Sequence, residues 1–165
     1  MGGGLGKKDS LISGDDLDIV YQTNLGSAVR INHALIPKMI KKKKGNVVHV
    51  ISTAATQAIA SVGYNTIKAA LAAYVRSLGN DLANSGVIIS GILPGRFNSP
   101  GGSWERLREK NPGLVKKIEN EQPKRKFGES EDIIPILKLL ASKNAKMMAG
   151  SCIPIDGGES LSYEI

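Results

Sequence analysis

The sequence predicts an α/β fold, a doubly wound parallel sheet of about three strands with flanking helices. Three observations predict it. Apolar runs at residues 47–51 and 87–93 are bounded by turn residues and read as buried strands. Segments with helical apolar spacing alternate with these runs, an order that argues parallel strands with helices on the sheet faces. A serine, Ser52, closes the first run, and a tyrosine and a lysine, Tyr64 and Lys68, follow on the next predicted helix.

The composition suits one domain. The chain has 165 residues, 41% hydrophobic and 22% charged, as in a soluble globular protein. No run of about 18 apolar residues is present, so no membrane span is expected. Met1 is followed by Gly2, Gly3, Gly4, Leu5 and Gly6, without the apolar centre of a signal peptide. One cysteine, Cys152, excludes an internal disulfide and reads as a small buried hydrophobe, so the expected compartment is the cytoplasm. The net charge of +7 raises nucleic acid as a partner. Only 4% aromatic residues leave few stacking platforms, and no zinc-ligand spacing occurs, so no nucleic acid and no metal is expected.

Taken in order, the glycine run at residues 2–6 reads as a flexible start, since a dinucleotide-binding turn must follow a strand. Asp15 or Asp16 caps a long helix reaching about Lys44, with Ile19, Val20, Leu25, Val29, Leu35, Ile36 and Met39 on its core face. The run Lys41 to Lys44 suits a helix C-terminus, capped by Gly45. His33 and His49 lack paired ligand spacing and read as structural. The helix carrying Tyr64 and Lys68 ends near Asn84. Residues 87–93 form the next strand and run into Pro94 and Gly95. Residues 96–127 are polar, with nine basic residues against four acidic. That surface is either simply solvated or a field that steers an anionic substrate. A helix over 133–142 follows, with acids in its first turn, and residues 150–155 close the series.

Residues four apart share a helix face, so Tyr64 and Lys68 lie side by side. An ammonium beside a phenol favours the phenolate, and a phenol so tuned is an acid or base near neutral pH. Ser52 sits at a strand's carboxyl end, where open α/β sheets bind ligands. Ser52 with Tyr64-x-x-x-Lys68, the stretch Thr23-Asn24-Leu25-Gly26, Pro94-Gly95 after the second strand, and Asp156-Gly157-Gly158 at the end together resemble the short-chain dehydrogenase/reductase family. The resemblance implies a Rossmann-like fold and an oxidoreductase that moves hydride between NAD or NADP and an alcohol or ketone. Tyr64 would exchange the hydroxyl proton. Lys68 would lower the Tyr64 pKa and hold the cofactor ribose, Ser52 would bind the substrate oxygen, and Asn24 would complete a proton relay. Pro94, Gly95 and Ser99 would meet the nicotinamide, and residues 96–127 would form the substrate lid. The glycine run at residues 2–6 would correspond to the family's turn on the adenosine side.

Ser52 precedes Tyr64 by twelve positions, one fewer than is usual in the family, which leaves Thr53 or Ser61 as substitutes. The resemblance covers only the carboxyl-terminal part of the family's fold. The expectation is therefore a single, N-terminally truncated domain over 1–165, without the first nucleotide-binding half. Such a chain would expose the edge of its first strand. It would act as a homo-oligomer, pair with the missing half, or persist as a non-catalytic binding module or inert fragment. The tail over 159–165 is a candidate for reaching a neighbouring subunit.

Overall fold

The computed structural model describes residues 3–161. Ser13 opens the first helix, α1 (Gly14–Tyr21), with an extended backbone and its Oγ accepting from the Asp16 amide at 3.2 Å. The cap is thus Ser13 and not Asp15 or Asp16. Those two carboxylates fall in the first turn, at the positive end of the helix dipole. The stretch is also not one continuous α-helix. A π-helical turn, Gln22–Gly26, separates α1 from α2 (Ser27–Lys41). Thr23 Oγ1, Asn24 Nδ2 and Ser27 Oγ each donate to the carbonyl four residues earlier, at 2.9, 2.9 and 2.8 Å. These side-chain bonds compete with the backbone ladder and accommodate a wider turn. The apolar register shifts with it. Val20 and Ile36 are buried, whereas Ile19, Val29 and Leu35, expected on the core face, are exposed.

The end of α2 differs from the sequence expectation. Lys43, not a glycine, takes the left-handed conformation at φ 50. Gly45 instead opens β1 (Gly45–Val50), where a Cβ would run into the Met39 side chain.

A short 3₁₀ turn, Thr53–Ala55, leads towards α3 (Val62–Asp81), which ends three residues before the expected Asn84. Then come β2 (Val87–Pro94), β3 (Phe97–Asn98), α4 (Ser103–Lys110) and α5 (Pro112–Glu121). The chain closes with β4 (Gly128–Glu129), a 3₁₀ turn over Ser130–Ile133, α6 (Ile134–Leu140) and β5 (Cys152–Ile155).

The main sheet is three-stranded in the order β1-β2-β5, all parallel. Strand β2 lies in the middle and is covered on both faces, which is why its sequence is an almost unbroken apolar run. On one face α2 and α3 bury Ile36, Ile51, Leu71, Val75, Val87, Ile89 and Leu93. On the other, α6 buries Leu140 against Ile92, with Val48, Ile88 and Ile153 at the margin. Asn46 ties β1 to the end of α6, its Nδ2 donating to the Leu140 and Ser142 carbonyls at 2.6 and 3.1 Å. The parallel pair β3–β4 anchors the segment between β2 and α6. Among the described residues no helix is long and apolar enough to cross a membrane.

The fit of α3 against the start of β5 depends on two glycines. A Cβ on Gly79 would collide with the backbone of Gly150, which holds φ 74 and donates to the Ile89 carbonyl at 2.7 Å. Backbone cannot yield as a flexible side chain does. Gly79→Ala is therefore expected to destabilise the fold by about 2 kcal/mol or more, despite its better helix propensity, as read by urea unfolding.

Candidate active site

Strand β1, its exit loop and α3 bring three predicted residues together. Ser52 leaves the strand in an extended conformation, and its Oγ accepts from the Ala54 amide at 3.2 Å. The Ser52 hydroxyl lies near enough to the Tyr64 hydroxyl to favour the phenolate. Lys68, one turn on along α3, is 4% exposed and lies over the Tyr64 ring, its Nζ 5.4 Å from the centroid. That Nζ donates to the Val50 carbonyl at 3.4 Å.

The short spacing between Ser52 and Tyr64 is taken up by Asn65. Its Nδ2 donates to the Gln57 carbonyl at 2.7 Å and its Oδ1 accepts from the Ala60 amide at 3.1 Å, folding the loop back on the helix beside Tyr64. Thr53 is buried, its Oγ1 directed at the Pro94 carbonyl, and Ser61 caps α3. An asparagine next to the tyrosine, after an unusually short loop, was the sequence signal for this clamp.

The electrostatics correct one expectation. Lys68 does not dominate the Tyr64 pKa. Burial pushes the phenol upward, opposed by the nearby Ser52 hydroxyl. The ammonium sits over the ring, and desolvation of the hydroxyl wins. Burial also lowers Lys68 from 10.5 to about 8. His49, on β1, is held below its ordinary value by burial and then by the Lys68 charge. The sequence marked His49 only as structural and did not single out its partner Asn32.

The N-terminal glycines are docked at this site, contrary to the expected flexible start. The Gly3 carbonyl accepts from Asn24 Nδ2 at 3.0 Å, and Gly4 packs on Tyr64 and Ser61. Gly2 lies outside the described residues. Asn24 thereby sits within the π-helical turn, with its Oδ1 buried and without a partner among the described residues. Its recorded bonds go to Gly3 and Val20, and none reaches Lys68.

Pro94 and Gly95 end β2 next to this group, through the Thr53–Pro94 contact. Gly95 has no room for a side chain, because a Cβ would meet Asp156 and Glu159. Ser99 is exposed and its bond is to Gly102, so the structure does not bring it to Tyr64 or Lys68. Beyond it, Trp104 of α4 packs against Phe127 in a tilted contact, centroids 4.8 Å apart, with Arg96 over Trp104 and Arg108 over Phe127. Arg96 is ion-paired to Glu159 and Arg108 to Glu119. The part of the tail over 162–165 lies outside the described residues. A cavity of about 290 Å³ lies behind this cluster, between Arg96, Lys124, Asp156 and Glu159. None of Ser52, Tyr64 or Lys68 lines it.

A nicotinamide cofactor fits these residues in part. Lys68 has donors beyond its single long bond to Val50, the Tyr64 hydroxyl is adjacent, and the turn at Gly95 is a close-approach surface. Among the described residues no G-x-G-x-x-G turn joins a strand to a helix; the turn from β3 to α4 carries only Gly101 and Gly102.

Burying Lys68 is costly. Its folded pKa is depressed to about 8, so across the window from about 8 to 10.5 the unfolded chain binds more protons and stability rises with pH. The penalty is full below about 8 and fades towards 10.5. At about 1.4 kcal/mol per unit it amounts to roughly 3 kcal/mol. Lys68→Met is therefore expected to stabilise the fold by about 2–3 kcal/mol at pH 7, with the gain closing as the pH approaches 10.5. Denaturant unfolding at several pH values measures this.

Comparison with known proteins agrees with the geometry. Residues 4–160 match the family model described as enoyl-(acyl carrier protein) reductase. The chain is 28% identical over 156 residues to 3-oxoacyl-[acyl-carrier-protein] reductase FabG of Buchnera aphidicola, covering 92% of this chain and 62% of that protein. It is 27% identical over 150 residues to (2S)-[(R)-hydroxy(phenyl)methyl]succinyl-CoA dehydrogenase subunit BbsD of Thauera aromatica, covering 91% and 58%. The chain thus spans about three fifths of the length of the curated relatives it matches. Among solved structures, a 3-oxoacyl (acyl-carrier-protein) reductase of Agrobacterium tumefaciens with NADP bound superposes with a TM-score of 0.84 at 25% identity, covering 92% of this chain and 58% of that one. L-sorbose reductase of Gluconobacter frateurii, complexed with NADPH and L-sorbose, superposes at 0.86 and 22% identity, covering 96% and 64%. With the Rossmann-like three-stranded parallel sheet and the Ser52–Tyr64–Lys68 group at its strand ends, the matched model assigns the chain to the short-chain dehydrogenase/reductase family of oxidoreductases.

Proposed function

We propose that this chain carries the catalytic half of a reductase that converts a ketone to an alcohol. The observation that supports it is the hydroxyl pair Ser52–Tyr64 with the Lys68 ammonium over the Tyr64 ring at the end of β1. Burial raises the Tyr64 pKa, so the phenol holds its proton until hydride arrival makes the substrate oxygen basic enough to take it. Ser52 donates to that same oxygen and stabilises the charge that develops there. Lys68 binds the ribose hydroxyls, and Asn24 joins the path that returns a proton to the site. When bound, NAD(P)H supplies the hydride. Pro94, Gly95 and Ser99 contact the nicotinamide end, with Ser99 carried in by movement of its exposed turn.

Residues 96–127 form the substrate lid, held by the Trp104–Phe127 contact and its two arginines. Its surplus of cations favours an anionic substrate, such as the acyl thioester of a carrier that the FabG relatives' name implies. The outer edge of β1, where Val50 is 55% exposed, pairs with a nucleotide-binding half or with another subunit. A second reading, a non-catalytic binding module on this scaffold, is favoured by the lack of a G-x-G-x-x-G turn among the described residues. Adding NADH or NADPH separates the two. A rise in melting temperature at millimolar cofactor supports the reductase, and no response from a folded sample supports the module.

In an active preparation Tyr64→Phe is expected to lower NAD(P)H-dependent reduction of 3-oxoacyl thioesters or ketoses by at least about 10²-fold. Full activity in that variant removes Tyr64 from the mechanism. The rate is also expected to fall as pH rises past about 8, where Lys68 loses its proton. A rate that is flat through that range argues against a charged Lys68.

A further inference from the structure

We propose that the amino-terminal end of the main sheet docks on an anionic lipid bilayer, with six lysines over the headgroups and Met147 at the acyl boundary. The three strands are parallel, so the connections leading into β1, β2 and β5 meet at one end. Ser52 and the Pro94–Gly95 turn lie at the other end, roughly 20 Å away along β1. The entering connections are residues 41–44, 82–86 and 141–151. They contain Lys41, Lys42, Lys43, Lys44, Lys143 and Lys146 and no carboxylate.

Tertiary contacts bring these segments together. Asn46 Nδ2 donates to the Leu140 and Ser142 carbonyls, which sets the lysine run against the connection before β5. A Cβ on Gly86 would meet the backbone of Lys43, so the connection before β2 lies against the same run. All six lysines are exposed, and none is ion-paired among the described residues.

Capping of helices accounts for only part of this charge. The C-termini of α2, α3 and α6 point to this end, each with about half a negative charge whose influence fades beyond the last turn. Lys38, Lys41 and Lys138 already occupy the last turns of α2 and α6. Lys42, Lys43, Lys44, Lys143 and Lys146 lie beyond those turns, and Asp81, which closes α3, offsets a single charge among them. Backbone ease does not explain the run either. Lys43 holds φ 50, a left-handed conformation that glycine adopts without cost.

The apolar part of the surface selects the partner. Met147 is 88% exposed beside Lys146, and Leu139, in the last turn of α6, is 39% exposed. Nucleic acid is held by charge and stacking rings, and these connections contain no aromatic residue. A bilayer surface takes both kinds of group, ammoniums on the phosphates and apolar side chains beneath them. Docked in this way, the chain turns the Ser52 end of the sheet away from the membrane.

The test needs neither cofactor nor turnover, so its failure is separate from failure of the reductase reading. The full chain is co-sedimented with vesicles of phosphatidylcholine alone and of phosphatidylcholine mixed with phosphatidylglycerol, across a salt series. The expected result is binding only to the mixed vesicles, weakening as salt rises. At about five-fold per lysine, the triple variant Lys42→Gln, Lys43→Gln, Lys44→Gln binds about 10²-fold more weakly. Lys143→Gln with Lys146→Gln, in a separate segment, loses about 25-fold. Met147→Ser loses about five-fold without changing the salt dependence. Lys124→Gln with Lys126→Gln, in the other basic region, leaves binding unchanged. No binding, equal binding to both vesicles, or full affinity in the two lysine variants overturns the proposal. So does binding that is lost only when Lys124 and Lys126 are changed. Duplex DNA that displaces the vesicles and binds Met147→Ser as tightly as the parent overturns it in favour of nucleic acid.

Discussion

Placing an ammonium almost wholly out of water is the constraint on which the rest of this structure depends. Lys68 has one long hydrogen bond, to the Val50 carbonyl, and otherwise lies over an aromatic face. A cation so poorly solvated is tolerated only because the surrounding elements hold it in place. The β1 backbone supplies the acceptor and α3 supplies the ring. Two elements that make the core also make the site, and the stability lost at Lys68 is offset by the apolar cluster between α2, α3 and the sheet.

The same group explains why the N-terminal segment and the loop after β1 take the shapes they do. The amide of Asn24 holds the Gly3 carbonyl, and Gly4 comes next to Tyr64 and Ser61. Asn65 draws the loop over 57–60 back onto α3. Ser52 and Tyr64 are therefore held at the two ends of a short, folded-back loop. Rigidity in the loop between Ser52 and Tyr64 comes from side-chain-to-backbone bonds and not from regular structure.

A second organised cluster lies on the far side of the Pro94–Gly95 turn. Glu159 bonds the Arg96 amide and its guanidinium, Arg96 covers Trp104, and Trp104 packs against Phe127. This chain of contacts ties the segment after β5 to the turn after β2 and to α4. Helix α4 is thereby linked to the turn after β2. The mobile-looking polar composition of residues 96–127 concealed an aromatic centre, because two aromatics and two arginines spread over thirty residues carry no periodic signal.

The sequence by itself determined the element order, the parallel sheet and the identity of Ser52, Tyr64 and Lys68. Those features follow from local rules: apolar runs, helical spacing and the i, i+4 geometry that sets Lys68 beside Tyr64. It determined the cap and the continuity of the first helix less well. Ser13 and the π turn arise from side-chain competition for backbone groups that apolar periodicity does not register. Only the tertiary structure decided the direction of the Tyr64 pKa, the docking of the glycine run, and the meeting of Asn32 with His49 and Tyr74, 17 and 42 positions away. The physical reason is that burial and long-range hydrogen bonds are properties of packed neighbours. A spacing in one dimension places two groups on a face, but the water removed from around them is set by every element that closes over that face.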